Sequence, residues 1–293
     1  MTDEALPFRR VAIVGLGLMG GSLALALRRT PHPPRIAASS LSGRDRERAL
    51  LEGAVERAAA DPAEIVADAD LVVYAAPPDA TLALLAEHRA LWAPDATITD
   101  VTSVKRAVVE RVRSLGEAGR FVGSHPMTGT HGSGFDAAVA ELYDGARVWL
   151  SPAVEPDDAA GATSRDGPFG RVAALWRAVG AEPATIDAET HDRGVAWSSH
   201  LPQLVASALA RALADAGTPR DALGPGGRDT TRLAASPPAL WAEILRQNAD
   251  LLAEPLTAVR RAIDEAAAAL VAGDADAIAA WMEPGRRWGD GSS

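Results

Sequence analysis

The chain has 293 residues, a formal net charge of −10, 47% hydrophobic residues and no cysteine. This length and apolar fraction suit one large domain or, more naturally, two domains with buried cores. The lack of cysteine excludes disulfides, thiolate metal sites and a cysteine nucleophile, and the negative charge disfavours nucleic acid and anionic membranes as partners. No stretch approaches the ~18 consecutive apolar residues that span a bilayer. No secretory signal is visible either, so we expect a soluble, cytoplasmic protein.

The first half of the chain alternates short apolar runs, typical of buried strands, with segments of helical periodicity. The predicted strands are 11–14, 35–38, 71–75, 97–101, 121–123 and 147–150, and the predicted helices include 18–29 and 103–115. This alternation predicts a parallel sheet with helices on both faces. Residues 155–168 are rich in Pro, Asp, Gly and Ala and indicate a loop or a domain boundary.

After this loop the strand signal fades and helical periodicity dominates. A helix at 169–179 and one last short strand at 182–186 come first, followed by amphipathic segments at 189–215, 238–252, 254–271 and 274–282. Pro202 lies inside the first segment, where it should kink the helix or start a new turn. We therefore predict an α/β fold: a Rossmann-type dinucleotide-binding domain over residues 1–160, then an all-helical substrate and dimerisation domain over residues 161–293. The long apolar-faced helices favour a homodimer through the helical domain.

A glycine-rich turn joins the first predicted strand to the first predicted helix. Gly15, Gly17 and Gly20 have the G-x-G-x-x-G spacing of a dinucleotide site. The first glycine allows a tight turn, the second lets the backbone approach a pyrophosphate, and the third lets helix and strand pack closely. The candidate cofactor-binding residues are Gly15, Gly17, Leu18, Met19 and Gly20 in the turn, Ser39, Ser40 and Arg44 after the second strand, and Pro77 after the third.

The choice between NAD and NADP depends on the end of the second predicted strand. An NAD enzyme carries Asp or Glu there, about twenty residues beyond the last glycine, to bind the ribose hydroxyls. This chain has serine hydroxyls instead, with Arg44 and Arg46 close by. We therefore favour NADP over NAD, although both arginines could equally be solvated residues that open a helix.

Four further segments concentrate polar residues that could carry chemistry. They are Asp100-Val101-Thr102-Ser103-Val104-Lys105, Gly123-Ser124-His125-Pro126-Met127-Thr128-Gly129, His200-Leu201-Pro202-Gln203, and Gly226-Gly227-Arg228-Asp229-Thr230-Thr231-Arg232. The histidine at 125 follows a strand in the C-terminal half of the dinucleotide domain, where substrate meets nicotinamide. The arginines at 228 and 232 share one face if their segment is helical.

Together with Ser236-Pro237-Pro238-Ala239-Leu240-Trp241, these motifs resemble the prephenate/arogenate (cyclohexadienyl) dehydrogenase family of tyrosine biosynthesis. The resemblance runs through almost the whole chain, and the H-P-M motif is its most specific part. It implies oxidative decarboxylation of prephenate, or arogenate, to 4-hydroxyphenylpyruvate, or tyrosine, with hydride transfer to NAD(P)+. An anionic small-molecule substrate of this kind needs arginines, because the chain as a whole repels anions.

The resemblance also implies roles for individual side chains. His125 matches the catalytic histidine that accepts the substrate hydroxyl proton, and Ser103 matches the serine that binds the same hydroxyl and orients the histidine. Ser103 could also be a helix N-cap. Arg232 matches the arginine that pairs with a substrate carboxylate, with Arg228 assisting. His200 matches a histidine near the substrate, although a purely structural role competes with this.

Two departures from the family pattern leave the substrate open. His131 follows Thr130 where many prephenate-using relatives carry Glu, and Gln203 stands where a second histidine often follows L-P. Thr130 and His131 are nevertheless candidate substrate-binding residues, and the missing acid argues mildly against binding the ammonium group of arogenate there. The remaining histidines have no motif around them and are expected to be surface or structural residues: His32, His88 and His191.

Three alternatives stay open. A 4-amino-4-deoxyprephenate dehydrogenase differs only where the hydroxyl becomes an amine. A β-hydroxyacid or imine dehydrogenase would rely on a catalytic Lys or Asp in the helical domain, whereas the only lysine here is Lys105. A non-catalytic dinucleotide sensor would bind cofactor with His125 dispensable. No metal-ligand spacing appears, and no metal is predicted.

Overall fold

A computed structural model of the protein describes residues 6–129, 132–154 and 166–291. These residues form two compact units. The first comprises the chain up to Gly194 together with Ala235–Gln247, and the second comprises Val195–Ala234 and the chain from Asn248 onward.

The first unit is built on an eight-stranded sheet with the order β3-β2-β1-β4-β5-β6-β7-β8. The strands are β1 Arg10–Val14, β2 Arg35–Ser39, β3 Arg57–Ala59, β4 Leu71–Tyr74, β5 Thr97–Asp100, β6 Phe121–Pro126, β7 Arg147–Pro152 and β8 Glu182–Thr185. Neighbouring strands are parallel except for the antiparallel pair β6 and β7. The Rossmann-type sheet predicted from the sequence is confirmed. The short strand β3 was missed because its sequence, Arg-Ala-Ala, is not a run of β-branched or large apolar residues.

Some of the helices belong to the first unit with this sheet, and the others form the second unit. The helices are α1 Leu18–Arg28, α2 Gly43–Leu51, α3 Ala63–Val66, α4 Pro78–His88, α5 Arg106–Ser114, α6 Pro168–Ala178, α7 Ala188–Val195, α8 Leu201–Asp215, α9 Pro225–Thr230, α10 Pro238–Gln247, α11 Ala249–Ala272 and α12 Ala275–Gly289, with a π-helix at Ala196–His200. Within the described ranges, no helix is both long and apolar enough to span a bilayer.

Alternating side chains of the central strands build a core on each face of the sheet. On β1, Val11 and Ile13 belong to one buried apolar cluster, whereas Ala12 and Val14 belong to the other. Burial on both faces explains why this strand reads as a continuous apolar run. Each fully buried Val or Ile contributes about 1.5–3 kcal/mol relative to an exposed one, so β1 is held firmly where the chain turns into α1.

The first unit runs past the predicted domain boundary at residue 160. Helix α6 packs against strands β5 to β8, and β8 pairs with β7. Trp176 on α6 is fully buried and donates its indole N–H to the Ser124 hydroxyl at 3.0 Å. The sheet therefore needs α6 and β8 to cover β6 and β7, which is why the compact unit does not end at the loop.

The strand order reverses beside β1. The chain leaves β1 for β2 on one side, and β4 pairs with β1 on the other side. In open parallel sheets, ligands bind at the carboxyl ends of the strands where the order reverses in this way. We therefore expect ligand-binding residues among those that follow β1, β2, β4, β5 and β6.

The start of α5 differs from the prediction. The helix was expected from Ser103, with that residue as a possible N-cap, but it begins at Arg106 and its N-cap residue, Lys105, has no side-chain capping bond. The backbone N–H groups of Lys105 and Arg106 instead donate to the carboxylate of Asp192, at 2.7 and 2.9 Å. A residue 87 positions away along the chain thus caps the helix, and Ser103 lies half-buried in the preceding loop.

In the second unit, α11 packs against the π-helix, α8 and α12. Pro202 is accommodated near the first position of α8, where the missing N–H of proline costs nothing. This agrees with the prediction that Pro202 starts a new turn. The predicted all-helical composition of the C-terminal part is confirmed for this unit.

Candidate active site

The glycine turn has the geometry that its spacing predicts. Gly15 has a φ of +114°, and a Cβ atom there would lie 2.4 Å from the carbonyl oxygen of Ala75. A Cβ atom on Gly20 would lie 1.9 Å from the carbonyl oxygen of Gly15. Gly17, in contrast, has open space around its Cβ position, with no atom within 4 Å. The first and third glycines thus allow the close packing of the turn, whereas the second keeps a surface open.

The open surface at Gly17 has features that suit an anion. Gly17 is the N-cap residue of α1, and the first backbone N–H groups of a helix have no acceptor within the helix. A helix N-terminus of this kind favours a phosphate group through its N–H donors and its dipole. The turn therefore fits a dinucleotide pyrophosphate. Leu18 and Met19 form the first turn of α1, and the carbonyl of Met19 accepts the Tyr143 hydroxyl at 2.7 Å.

Alanine substitutions at Gly17 and Gly20 are expected to separate binding from folding. Gly17→Ala should keep the melting temperature of the wild type but weaken dinucleotide binding, because the new methyl group stands where the pyrophosphate would lie. Gly20→Ala should lower the free energy of unfolding by about 1–3 kcal/mol, because the backbone of Gly15 must move. Calorimetric unfolding and cofactor titration of both variants measure the two effects. Equal loss of stability in both would contradict this division.

Serine hydroxyls and arginines surround the end of β2. The Ser40 hydroxyl accepts the N–H of Ser42 at 3.1 Å, and Arg46 donates to the Ser40 carbonyl at 2.5 Å. Arg44 forms an ion pair with Asp136, which also lies 3.4 Å from the guanidinium of Arg48. The guanidinium groups of Arg44, Arg46 and Arg48 are therefore each held by a contact within the fold. Pro77, the N-cap residue of α4, follows β4 at the same edge.

His125 begins a chain of buried hydrogen bonds that the sequence did not reveal. Its Nδ1 lies 2.8 Å from Nε2 of His191, and Nδ1 of His191 lies 2.7 Å from Oδ1 of Asp192. All three side chains are buried. Of the two expectations for His191, a surface residue or a structural one, its burial excludes the first. No local pattern marks it, because its partner on β6 is 66 positions away in the sequence.

The carboxylate at the end of this chain defines the proton positions on both rings. Burial alone would raise the pKa of Asp192, but hydrogen bonds from His191 and from the backbone of Arg106 and Lys105 lower it below its ordinary value. An ionised carboxylate only accepts hydrogen bonds, so His191 carries its proton on Nδ1 and its Nε2 is an acceptor. His125 therefore donates from Nδ1, and its own Nε2 is the basic nitrogen.

A second buried network braces the strand that carries His125. The ammonium group of Lys105 donates to Oδ2 of Asp100 at 2.5 Å and to the carbonyl of Ser124 at 2.7 Å, with both charged side chains fully buried. Burial lowers the pKa of Lys105, and the charge of Asp100 only partly offsets this. Asp100 also accepts the backbone N–H groups of Thr102 and Ser124. The D-x-x-S-V-K segment thus joins β5 to β6 directly beside His125.

In the second unit, His200 is buried against Asn248. The two side chains are 3.1 Å apart, between the amide nitrogen of Asn248 and Nδ1 of His200, and both are almost fully buried. An amide nitrogen only donates, so Nδ1 of His200 accepts and its Nε2 carries the proton. This histidine is therefore a hydrogen-bond donor at Nε2, a form that suits a carboxylate or carbonyl oxygen.

The two predicted substrate arginines do not lie on one helix. Arg228 belongs to α9, which ends at Thr230, whereas Arg232 opens a 3-10 turn that runs to Ala235. Arg228 donates to the carbonyl of Leu223 at 2.8 Å, and the side chain of Arg232 is exposed. Gln203 supports the 3-10 turn by donating to the carbonyl of Leu233 at 2.9 Å. Thr130 and His131, also predicted to bind substrate, lie outside the described residues.

A Rossmann sheet with an open glycine turn after β1, and with a buried histidine on β6, is the arrangement of a dinucleotide-dependent dehydrogenase. Two family models match the chain: the nucleotide-binding domain of prephenate dehydrogenase over residues 23–165 and the dimerization domain of prephenate dehydrogenase over residues 187–284. The chain belongs to the prephenate dehydrogenase family, and the resemblance inferred from the motifs is confirmed.

Individual relatives agree with this family. A cyclohexadienyl dehydrogenase from Zymomonas mobilis is 33% identical over 254 residues, which cover 84% of this chain and 83% of that protein. A prephenate dehydrogenase from Bacillus subtilis is 31% identical over 289 residues, which cover 96% of this chain and 75% of that protein. The crystal structure of prephenate dehydrogenase from A. aeolicus, in complex with hydroxyphenyl propionate and NAD+, has a TM-score of 0.83 at 26% identity and covers 97% of this chain and 98% of that one.

Proposed function

We propose that this protein oxidises and decarboxylates prephenate or arogenate, with a nicotinamide dinucleotide as hydride acceptor. The observation that carries the proposal is His125, a buried histidine whose hydrogen bond to His191 leaves Nε2 as the basic nitrogen. The reaction needs one such proton acceptor. The substrate ring carries a carboxylate at C1 and a hydroxyl at C4, and loss of both the C4 hydride and the C1 carboxylate makes the ring aromatic.

The chemistry assigns His125 a defined step. Its Nε2 takes the C4 hydroxyl proton while hydride leaves C4, so that the developing positive charge on the substrate is relieved. The electron pair of the C1–carboxylate bond then completes the aromatic ring as carbon dioxide departs, and the proton held by His125 returns to the phenolic oxygen. Hydride, carbon dioxide and the proton are thereby all accounted for. The protein mainly orients the substrate, because aromatisation supplies the driving force.

The cofactor supplies the hydride acceptor, and we propose that NADP is preferred to NAD. The pyrophosphate would be held by the N–H groups around Gly17. The 2′-phosphate would be held near Ser39, Ser40 and Arg44. No carboxylate follows β2 directly to repel that phosphate, and the guanidinium of Arg46 lies against the Ser40 carbonyl. The ion pair between Arg44 and Asp136 competes for one of the positive charges.

We propose that the substrate carboxylates are bound by Arg232, assisted by Arg228, and by the Nε2 proton of His200. A guanidinium binds a carboxylate through two parallel hydrogen bonds, and this attraction offsets the net charge of −10. Ser103 is proposed to bind the C4 hydroxyl.

Replacing Arg232 with alanine is expected to raise the KM for substrate about tenfold to hundredfold, because a charge-assisted hydrogen bond is worth about 1.5–3 kcal/mol. The value of kcat should change much less, because this contact is made equally before and during the reaction. Steady-state kinetics provide the measurement, with Arg211→Ala as the control. Arg211 is an exposed arginine of the same unit, paired only with Asp215 among the described residues. An unchanged KM in Arg232→Ala would remove Arg232 from the binding site.

We further propose that the chain forms a homodimer through its helical unit. The family model that matches residues 187–284 describes a dimerization domain. Helices α11 and α12 expose large apolar side chains that a second copy could cover: Ile263, Leu270, Val271, Met282 and Trp288.

A catalytic lysine of the β-hydroxyacid dehydrogenase type is disfavoured by the contacts of Lys105. This is the only lysine of the chain, and it is fully buried in an ion pair with Asp100. An ammonium group held in this way braces the sheet and is not exposed to a substrate.

The test is the rate of nicotinamide reduction for each combination of NADP or NAD with prephenate or arogenate. We expect reduction with at least one of the two substrates, and a higher kcat/KM for NADP than for NAD. No reduction in any combination would contradict the proposed function. A higher kcat/KM for NAD would contradict only the assignment of Ser39, Ser40 and Arg44 to a 2′-phosphate site.

A further inference from the structure

A chain of hydrogen bonds runs from His125 through His191 to Asp192. This connectivity is that of a general base whose orientation is fixed by further groups behind it. His125 donates from Nδ1 to His191, and His191 donates from Nδ1 to Asp192, over distances of 2.8 and 2.7 Å. The rings of the two histidines meet edge to face, with an interplanar angle of 71°. Such a chain fixes both the orientation and the tautomer of the base.

We propose that His191 and Asp192 are positioning residues. They hold neutral His125 in the tautomer with its proton on Nδ1, so that Nε2 can accept a proton, and they stabilise the imidazolium that forms during hydride transfer. This inference rests on the proposed function, in which His125 is the proton acceptor. His191 transmits the effect of the Asp192 carboxylate to His125, because it is hydrogen-bonded to both side chains.

The anchoring of Asp192 makes the chain rigid. Its Oδ1 also accepts the backbone N–H of Lys105, and its Oδ2 accepts the backbone N–H of Arg106, at 2.7 and 2.9 Å. The carboxylate is thus fixed between α7 and the first turn of α5, and the two rings have little freedom to rotate. A histidine that only filled space in the core would not need an ionised partner.

Among the described residues, the charged groups close to this chain form ion pairs. The guanidinium of Arg106 lies 3.4 Å from Asp192 and 3.5 Å from Glu189 on α7. The ammonium of Lys105 feels the charge of Asp192 but is bound to Asp100 on β5. Because the pKa of Asp192 is lowered from an ordinary carboxyl value of ~3.9, its carboxylate is ionised throughout the range from about pH 6 to 9. A change of rate in that pH range therefore does not come from titration of Asp192.

The test compares three variants of buried histidines. His191→Leu removes the acceptor for the Nδ1 proton of His125. His191→Gln restores an acceptor, because its side-chain oxygen reaches about as far as Nε2 of histidine, but it breaks the link to Asp192. His88→Leu is the matched control, since His88 is buried in the same unit and contacts Tyr74 instead.

In turnover, His191→Leu is expected to lower kcat about tenfold to hundredfold with KM and cofactor affinity nearly unchanged. The acidic limb of its pH–rate profile should move to lower pH, because the nearby carboxylate no longer favours the protonated base. His191→Gln should recover most of kcat but keep the shifted limb. A wild-type rate and limb in His191→Leu would overturn the proposal, and so would an equal loss of kcat in His88→Leu.

A spectroscopic measurement separates this proposal from the proposed function. In ¹⁵N NMR spectra of the imidazole groups, with His125→Asn used for assignment, His125 should carry its proton on Nδ1 in the wild type. In His191→Leu the proton should move to Nε2. This measurement needs no substrate. It therefore tests the positioning role of His191 and Asp192 even if the wild type reduces nicotinamide with neither prephenate nor arogenate. An Nε2-protonated His125 in the wild type would overturn it.

Discussion

His125→Asn is expected to lower kcat about a hundredfold to ten-thousandfold, which is the usual contribution of a positioned general base. Asparagine preserves much of the shape of the imidazole ring and can donate to His191 from its amide, but it has no basic nitrogen at the position of Nε2. The hydroxyl proton must then leave to water while hydride departs. Because the glycine turn is untouched, the affinity for the dinucleotide should stay within about twofold of the wild-type value.

The matched control is His88→Asn, which replaces another buried histidine of the first unit. His88 is the last residue of α4, its Nδ1 lies 3.1 Å from the hydroxyl of Tyr74, and no proposed step involves it. We expect its kcat to be close to that of the wild type. Stopped-flow or steady-state rates of nicotinamide reduction measure both variants. Near-normal turnover of His125→Asn would remove His125 from the mechanism.

Lys105→Met is expected to be the most destabilising single substitution considered, at about 3–5 kcal/mol of unfolding free energy. The substitution leaves the carboxylate of Asp100 buried, with hydrogen bonds from Thr102 and Ser124 but without its counter-charge. It also removes the donor to the Ser124 carbonyl, next to His125 on β6. Denaturant unfolding, followed through the tryptophan fluorescence of the first unit, provides the measurement.

Two control variants test whether the stability lost in Lys105→Met comes from the unpaired charge of Asp100. Arg57→Met removes an exposed ion pair with Glu64 in the same unit and should change stability by less than about 1 kcal/mol. The double variant Asp100→Asn/Lys105→Met removes the orphaned charge and should recover part of the stability that Lys105→Met loses. If Lys105→Met were as stable as Arg57→Met, the ion pair would not be a main support of β5 and β6.

Local patterns predicted the parts of the molecule that depend on neighbours in sequence. The spacing of Gly15, Gly17 and Gly20 predicted the turn correctly, because backbone conformation and close packing act within six residues. The apolar runs of the central strands were equally clear, since burial on both faces leaves no room for polar residues. The family resemblance followed from short motifs that are read directly from the sequence.

Contacts between distant segments could not be predicted in this way. His191 and Asp192 have no motif around them, and their importance appears only when α7 packs against β6 and α5. Arg44 looked available for a phosphate group, but the fold pairs it with Asp136, 92 positions away. The start of α5 was misplaced for the same reason, because its cap comes from Asp192 and not from the preceding Ser103.

The most direct test of the proposed reaction is the stoichiometry of its products. The measurement uses substrate labelled in the C1 carboxylate and compares the carbon dioxide released with the nicotinamide reduced. Oxidative decarboxylation, with His125 as the proton acceptor, predicts one carbon dioxide for every reduced nicotinamide, for whichever substrate is turned over. Reduction of nicotinamide without release of the labelled carbon dioxide would contradict it.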